Sequence, residues 1–389
     1  MTRHPTIIGW SHTPFGKSTD PDVESLIAKV SIAAITDAEI DPSVVDGAFV
    51  GVYNGGFSTQ SFEAALLGSG QPTLARVPAV RVENACATGS AALFSALDFL
   101  GSGRGRIALV IGAEKMTHAG PDVVNDALLG ACYRRTEAEA GSFAGIFGNL
   151  AAQYFRRYGD QREALALIAA KNHRSGVRNP FAHLRKDLGF AFCATPSEQN
   201  PRVAGPLLRT DCSMVSDGAA ALVLAVPEIA ASARRGVVVR GRAHANEPFA
   251  LTARRDPLRL EGARTAFQNA LAEAGATLSD LDLLETHDCF TIAELLQYEA
   301  FGLAESGKGA TVLADGVTYR DGALPTNVSG GLKSKGHPIG ATGVSQHVMA
   351  AMQLVGEAGE MQLPKADRAA VFNMGGAAVA NYASVLERA

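Results

Sequence analysis

Val82-Glu83-Asn84-Ala85-Cys86-Ala87-Thr88-Gly89-Ser90-Ala91-Ala92-Leu93 opens a helical run that extends to Leu100, and Ala341-Thr342-Gly343 opens a second run to about Leu354, 254 residues later. Each run leads into a buried-strand pattern. Arg106-Ile107-Ala108-Leu109-Val110-Ile111 follows the first and Arg368-Ala369-Ala370-Val371-Phe372-Asn373 the second, at a shift of 262. Near the start, Ile7-Ile8-Gly9-Trp10-Ser11-His12 is echoed by Val239-Arg240-Gly241-Arg242-Ala243-His244, at a shift of 232. One tripeptide recurs by accident in a chain rich in Ala and Gly, but three pairs in the same order imply duplication. The sequence therefore predicts an α/β chain of two related βαβ-containing halves, 1–115 with 210–230 and 236–389. Between them lies an inserted segment at 116–209, expected to be a lid or binding element.

The chain has 389 residues, enough for one large duplicated domain with a sizeable core. With 47% hydrophobic and 19% charged residues, disorder is excluded as the main state. Lys+Arg 35 against Asp+Glu 39 leaves a net charge of −4 and no basic stripe, which argues against nucleic acid. Apolar runs such as Ala219 to Pro227 fall far short of the roughly 18 residues of a membrane span. Met1-Thr2-Arg3-His4-Pro5 leads into a strand-like run without a signal-peptide pattern, and Glu387-Arg388-Ala389 is no peroxisomal address, so a cytoplasmic home is expected. Cys86, Cys132, Cys193, Cys212 and Cys289 are odd in number and form no Cys-x-x-Cys pair. A disulfide framework and a zinc ribbon are both disfavoured, leaving each thiol as a small core residue or a nucleophile.

Four segments carry chemistry. Cys86, followed by small residues and a helix start, is expected at a helix N-terminus, where free N–H groups stabilise a thiolate and an acyl chain can approach. Leu284-Glu285-Thr286-His287-Asp288-Cys289-Phe290-Thr291 crowds His, Asp, Cys and Thr into one turn, so that His287 and Cys289 can share a cleft. There, Asp288 or Thr291 read as plain helix caps is the competing interpretation. Nearby metal ligands are lacking. In Asn327-Val328-Ser329-Gly330-Gly331-Leu332-Lys333-Ser334-Lys335-Gly336-His337-Pro338-Ile339-Gly340-Ala341-Thr342-Gly343, the bracket of Gly336 and Pro338 presents His337 as a base. The missing Gly-x-x-x-x-Gly-Lys-Ser/Thr removes nucleotide hydrolysis. Gly375-Gly376, after the strand ending at Met374, suits a backbone N–H aimed at a ligand.

Together with Lys171-Asn172-His173, Asn179-Pro180-Phe181 and Ser216-Asp217-Gly218-Ala219-Ala220-Ala221, these segments resemble the thiolase superfamily. The resemblance is nearest to sterol-carrier-protein-type thiolases and the short acetyl-CoA acetyltransferase-like enzymes of archaea and bacteria. It implies a five-layered α-β-α-β-α fold with an inserted loop domain, a homodimer or homotetramer, and coenzyme A as co-substrate with no tightly bound cofactor or metal. It also implies roles: Cys86 as the acylated nucleophile, His337 as its base, His287 in an oxyanion hole and Cys289 as acid/base. Backbone N–H groups of Cys86 and Gly375 would form a second oxyanion hole, and Ser213 would contact the pantetheine arm. The C-terminal Cys-x-Gly of many thiolases is absent, with Asn373 in the cysteine's place, a departure shared by the sterol-carrier type. A small zinc/OB-fold partner, known beside archaeal relatives, fits as well. The competing readings are a ketosynthase-like acyl C-transferase and a non-catalytic acyl-CoA-binding subunit. In the insertion, Phe143, Phe147, Tyr154, Phe155 and Phe181 are candidate acyl-chain lining, although aromatics at such spacing are more often core, and Arg134, Arg135, Arg156 and Arg157 are candidate phosphate contacts, with solvated surface charge the favoured reading for most of them.

Overall fold

The computed structural model describes residues 4–389; Met1–Arg3, part of the N-terminal stretch read above for a signal-peptide pattern, lie outside the described residues. Eleven strands form: β1 (Thr6–His12), β2 (Gly47–Gly51), β3 (Ala79–Val82), β4 (Ile107–Glu114), β5 (Arg202–Ala204), β6 (Leu207–Leu208), β7 (Gly218–Ala225), β8 (Val237–Asn246), β9 (Leu283–Glu285), β10 (Arg368–Gly375) and β11 (Ala380–Arg388). Nine of them make one sheet in the order β3-β2-β4-β7-β1-β8-β11-β10-β9, and β5 and β6 pair apart. β4 and β7 are buried along their whole length, as their nearly unbroken apolar sequences require.

The sheet repeats itself about its middle. From the centre outward, β1, β7, β4, β2 and β3 on one side correspond to β8, β11, β10, β9 and a single parallel bridge, Leu284 with Thr326, on the other. At the centre, β1 and β8 touch through only two residue pairs, Thr6 with Val238 and Ile7 with Val237, so the sheet folds there into two halves.

Helices fill three layers around those halves. Val23–Asp37 packs outside β1, β4 and β7, and Glu261–Ala274 outside β8 and β11. Thr88–Gly101 and Thr342–Leu354 pack on each other between the halves. The result is α-β-α-β-α, with a separate apolar cluster at each outer layer and a third, built from both halves, in the middle. Asp22 caps the first helix by accepting from Ser25 N at 2.8 Å, whereas the two central helices have no side-chain cap. At the central contact the two Ala-Thr-Gly motifs face each other. A Cβ on Gly89 would stand 2.7 Å from Val344 N, and one on Gly343 would stand 2.3 Å from Ser90 N. The repeat seen in the sequence therefore marks the closest approach of the two central helices.

The chain between β4 and β7 crosses the carboxyl ends of the strands as a group of helices, including Phe143–Tyr158 and Arg162–Gly176, with the β5–β6 pair. Among the described residues, no helix is long and apolar enough to cross a membrane.

Candidate active site

Cys86 lies two residues before the helix Thr88–Gly101, in a turn closed by Ala87 N to Asn84 O and Thr88 N to Ala85 O. Ala85 adopts φ +48°, a left-handed conformation that aims the next residue at the space between the halves. His337 comes from the loop just before the second central helix, Thr342–Leu354. Gly336 beside it has φ +111°, and a Cβ there would collide with Ser216 Oγ at 2.7 Å. His287 and Cys289 come from the turn after β9. Cys86 Sγ and one ring nitrogen each of His287 and His337 all lie within 4.8 Å of one another, and the two rings meet edge to face with centroids 5.2 Å apart. Cys289 lines the same cavity. The lack of nearby metal ligands read around His287 thus does not hold in space: Cys86 and His337 join it from elsewhere in the chain.

Each ring has one nitrogen spoken for. His337 Nδ1 is 2.6 Å from Thr342 Oγ1, which itself donates to Pro338 O at 2.9 Å. A hydroxyl has one proton, so Thr342 accepts from His337 Nδ1–H, and Nε2 keeps its lone pair. His287 Nδ1 lies 2.9 Å from the side-chain amide nitrogen of Asn373. Both Nε2 atoms are buried without a protein partner, leaving them for the chemistry.

The turn carrying His287 and Cys289 is tied to the segment carrying His337. Asp288 accepts from Leu332 N at 2.6 Å and from Asn172 Nδ2 at 2.7 Å, so it caps the short helix Gly331–Lys335. It does not cap Thr291–Ala300, as the competing reading expected; Thr291 there donates to Asp211 at 2.7 Å, and no side chain caps that helix. Asn172 bridges Asp288 to Glu294, and Lys171 pairs with Glu294 at 2.8 Å. Glu114 accepts from Tyr53 N, Asn54 N and Gly340 N, bracing the loop just after His337. Ser213 lines the cavity, and its N–H donates to Cys289 O at 2.9 Å.

Electrostatics correct one expectation. Burial pushes the Cys86 thiol up to about 12, against the lowering effect of the Gly376 N–H. The helix end therefore does not hold a thiolate in the resting site. Backbone N–H groups of Gly376 and of Cys86 itself turn toward the thiol, and the adjacent Gly375 runs so close to Asn84 O that a Cβ there would stand 2.4 Å from it. Burial and the charge of Lys335 lower His337 to about 3, and burial holds His287 well below its usual range, so both rings are neutral. Cys289 is pushed up by burial and by Cys86 beside it.

The cavity at Cys86 measures about 180 Å³ and is walled by Met116, Leu128, Phe143, Val215, Phe290 and Ile339. A larger groove of about 680 Å³ near Arg259, Arg264 and Glu305 contains none of these reactive groups. Of the candidate aromatic lining, only Phe143 reaches the cavity. Phe147 stacks on Phe290 at 4.5 Å, Tyr154 hydrogen-bonds Glu299, Phe155 packs into the outer C-terminal core, and Phe181 packs on His12 at 4.8 Å. Arg134 and Arg157 pair with Asp126 and Asp256, while Arg135 and Arg156 stand exposed. Sequence reasoning missed the role of Thr342 and noted Asn373 only as a departure, while it had singled out the Gly375-Gly376 pair for a backbone N–H.

Comparison with known proteins agrees with this geometry. Residues 6–188 match the family "Thiolase, N-terminal domain" and residues 243–388 match "Thiolase C-terminal domain-like". The chain is 36% identical over 380 residues to an acetyl-CoA acetyltransferase of Methanothermobacter thermautotrophicus, covering 96% of this chain and 97% of that one. It is 32% identical over 387 residues to human sterol carrier protein 2, covering 95% of this chain and 69% of the longer relative. Among solved structures, human mitochondrial 3-ketoacyl-CoA thiolase in complex with CoA superposes with a TM-score of 0.74 at 17% identity, covering 100% and 98% of the two chains. An "Ltp2-ChsH2(DUF35) aldolase" gives 0.83 at 20% identity, covering 99% and 97%.

Proposed function

Because the chain belongs to the thiolase family, we propose that its buried Cys86 centre cleaves 3-ketoacyl-CoA with coenzyme A, or runs the reverse Claisen condensation, through an acyl group carried on Cys86. The carrying observation is the 4.8 Å cluster of Cys86, His287 and His337 with Cys289 on the same cavity.

His337 Nε2 takes the Cys86 proton as sulfur attacks the 3-keto carbon, and the developing alkoxide is met by backbone N–H groups, Gly376 among them. Collapse breaks the C2–C3 bond. The acetyl-CoA enolate keeps its negative charge on the thioester oxygen, where His287 Nε2–H donates, and Cys289 S–H delivers the proton to C2. Incoming coenzyme A gives its thiol proton to the Cys289 thiolate and attacks the Cys86 thioester. Cys86 then recovers its proton from His337. Proton count and charge return to the start, and the kinetics are ping-pong.

The small apolar cavity favours a short acyl group on Cys86. In this reading Ser213 meets the pantetheine arm, residues 116–209 form the loop domain that receives coenzyme A, and no resident cofactor is needed. A homodimer in the cytoplasm completes it. In a single chain β3 is the sheet edge with Ala79 and Val80 exposed, and Phe62 nearby is 75% exposed; edges of this kind are normally covered. A small partner protein is compatible, since the aldolase of the same fold carries a second component in its name.

The test is thiolysis of acetoacetyl-CoA and of a long-chain 3-ketoacyl-CoA by the pure protein, with intact-mass detection of an acyl adduct on Cys86. Turnover with an adduct supports the reading and ranks substrates. A folded protein that binds CoA thioesters without adduct or turnover favours the acyl-CoA-binding subunit.

A further inference from the structure

Asn373 donates twice from one nitrogen: to Cys86 O at 3.0 Å and toward His287 Nδ1 at 2.9 Å. A carbonyl oxygen only accepts, so the Asn373 atom beside Cys86 O is the NH2 and not the oxygen. Swapping the two amide atoms would set oxygen against oxygen at 3.0 Å. With the amide so fixed, its second N–H points at His287 Nδ1, which must then be the unprotonated nitrogen of a neutral ring. The ring's proton sits on Nε2, buried and without a protein partner. His337 is wired the opposite way, with its proton on Nδ1 and its lone pair on Nε2. Two neutral imidazoles 5.2 Å apart thus offer one donor and one acceptor to the same space.

Resting on the reading above, we propose that Asn373 is a positioning residue that sets the His287 tautomer, turning a residue able to act as base or metal ligand into a dedicated hydrogen-bond donor to the enolate oxygen. The same tautomer removes the His287 lone pair from the Cys86–His287–His337 set, so the set lacks a third metal ligand although its spacing suits one. A side-chain amide at position 287 would need no such partner, because its donor nitrogen is fixed by covalent structure.

The direct test is the ¹⁵N NMR spectrum of the ¹⁵N-histidine-labelled wild-type chain, which has nine histidines, with His287 assigned by its loss in H287N. Protonated Nε2 and bare Nδ1 at His287 are expected. A protonated Nδ1 in the wild type overturns the proposal whatever the enzyme's activity. The second test separates the two half-reactions. In N373D the carboxylate accepts from Nδ1–H, and C–C cleavage of acetoacetyl-CoA is expected to fall about 10²–10³-fold in kcat with KM little changed, the loss typical of one oxyanion donor. Exchange of labelled coenzyme A into acetyl-CoA uses only Cys86 acylation and is expected to fall by a clearly smaller factor, set by the lost bond to Cys86 O and the carboxylate oxygen now facing it.

In the H287N background, N373D is expected to cost cleavage no more than it costs exchange. Equal losses of cleavage and exchange, or equal losses in both backgrounds, would mean that Asn373 only shapes the Cys86 turn. Absence of any Cys86 adduct in a folded wild type would instead sink the functional reading, leaving the tautomer result standing by itself. If N373D fails to fold, the wild-type spectrum still decides.

Discussion

Gly89→Ala sets two known effects against each other on one helix. Gly89 is the second residue of the helix Thr88–Gly101, and Ala there gains about 1 kcal/mol of helix propensity. The new methyl, however, would stand 2.7 Å from Val344 N, 2.9 Å from Gly343 N and 3.0 Å from Gly340 O. All three are backbone atoms of the opposing segment, so no side chain can rotate away, and the two central helices must part by roughly half an ångström. Overpacking of this kind costs about 1–3 kcal/mol, and with rigid neighbours the upper end applies. Net destabilisation of about 1–2 kcal/mol is expected. Cys86 precedes one of these helices and His337 the other, so the parting also lengthens the path of the first proton transfer. Misplacement near 1 Å costs about 10²-fold, which puts kcat for acetoacetyl-CoA thiolysis about tenfold or more below wild type with KM little moved. Gly101→Ala, on the last residue of the same helix with nothing within 4 Å of its would-be methyl, is the control and should be neutral or stabilising. The measurements are denaturant midpoint and thiolysis rate. A G89A protein as stable and active as wild type would refute the close-approach reasoning.

Cys86→Ala should abolish both adduct and turnover. Cys289→Ala should retain the Cys86 adduct from acetyl-CoA while losing about 10²–10⁴-fold in C–C cleavage, as intact mass and rate together will show; loss of the adduct as well would place Cys289 in the first step. Stability should fall between pH 7.5 and 5. His12 and His337 are lowered to about 3, His173 to about 2 and His347 to about 4, mainly by burial, so below about 6.5 the unfolded chain binds protons that the native state refuses. That costs about 2 kcal/mol per ring at pH 5. Glu114 and Asp288, raised to about 7 by burial, take up protons first in the native state and offset part of it. His287, also held low by burial, adds to the loss and Glu285, raised by burial, to the offset; the net is a loss, and a denaturant midpoint unchanged or higher at pH 5 would mean that the rings are not held neutral. Val80→Glu, on the exposed edge strand β3, should shift a dimer to monomer by light scattering without unfolding the chain; an unmoved mass would place the interface elsewhere.

The duplicated fold was legible because its repeats have a physical cause. Gly89 and Gly343 recur where two backbones touch, and Gly336 recurs in no other frame because only it must adopt φ +111° against Ser216. Cys86, His287, Cys289 and His337 were legible as a set through a resemblance, while spacing alone could not bring residues some 200 positions apart to within 4.8 Å. The aromatic residues of the insertion could not be sorted between core and cavity because helical periodicity is the same for both: Tyr154 and Phe147 obey it and face protein, whereas Phe143 lines the cavity. Thr342 and Asn373 stayed hidden for another reason. Their roles lie in which proton sits on a neighbouring ring, and that depends on a second acceptor, Pro338 O or Cys86 O, that no local pattern announces.

The resting state follows from the same competition between position and burial. A helix N-terminus favours a nearby anion by about 0.3–1 kcal/mol at exposed sites and up to about 2 when partly buried, worth about one pKa unit or slightly more. Desolvating a thiolate in a cavity with apolar walls costs more than that, and the Cys86 thiol moves up to about 12 even with the Gly376 N–H beside it. With His337 lowered to about 3, the resting centre is a neutral thiol beside a neutral imidazole whose lone pair is already aimed. In the proposed reaction charge separates only when a thioester brings a carbonyl to receive it. The apolar walls of the cavity restrain the nucleophile before substrate arrives, and in that reaction the same low-dielectric walls would strengthen the Gly376 and His287 donors once the oxyanion forms.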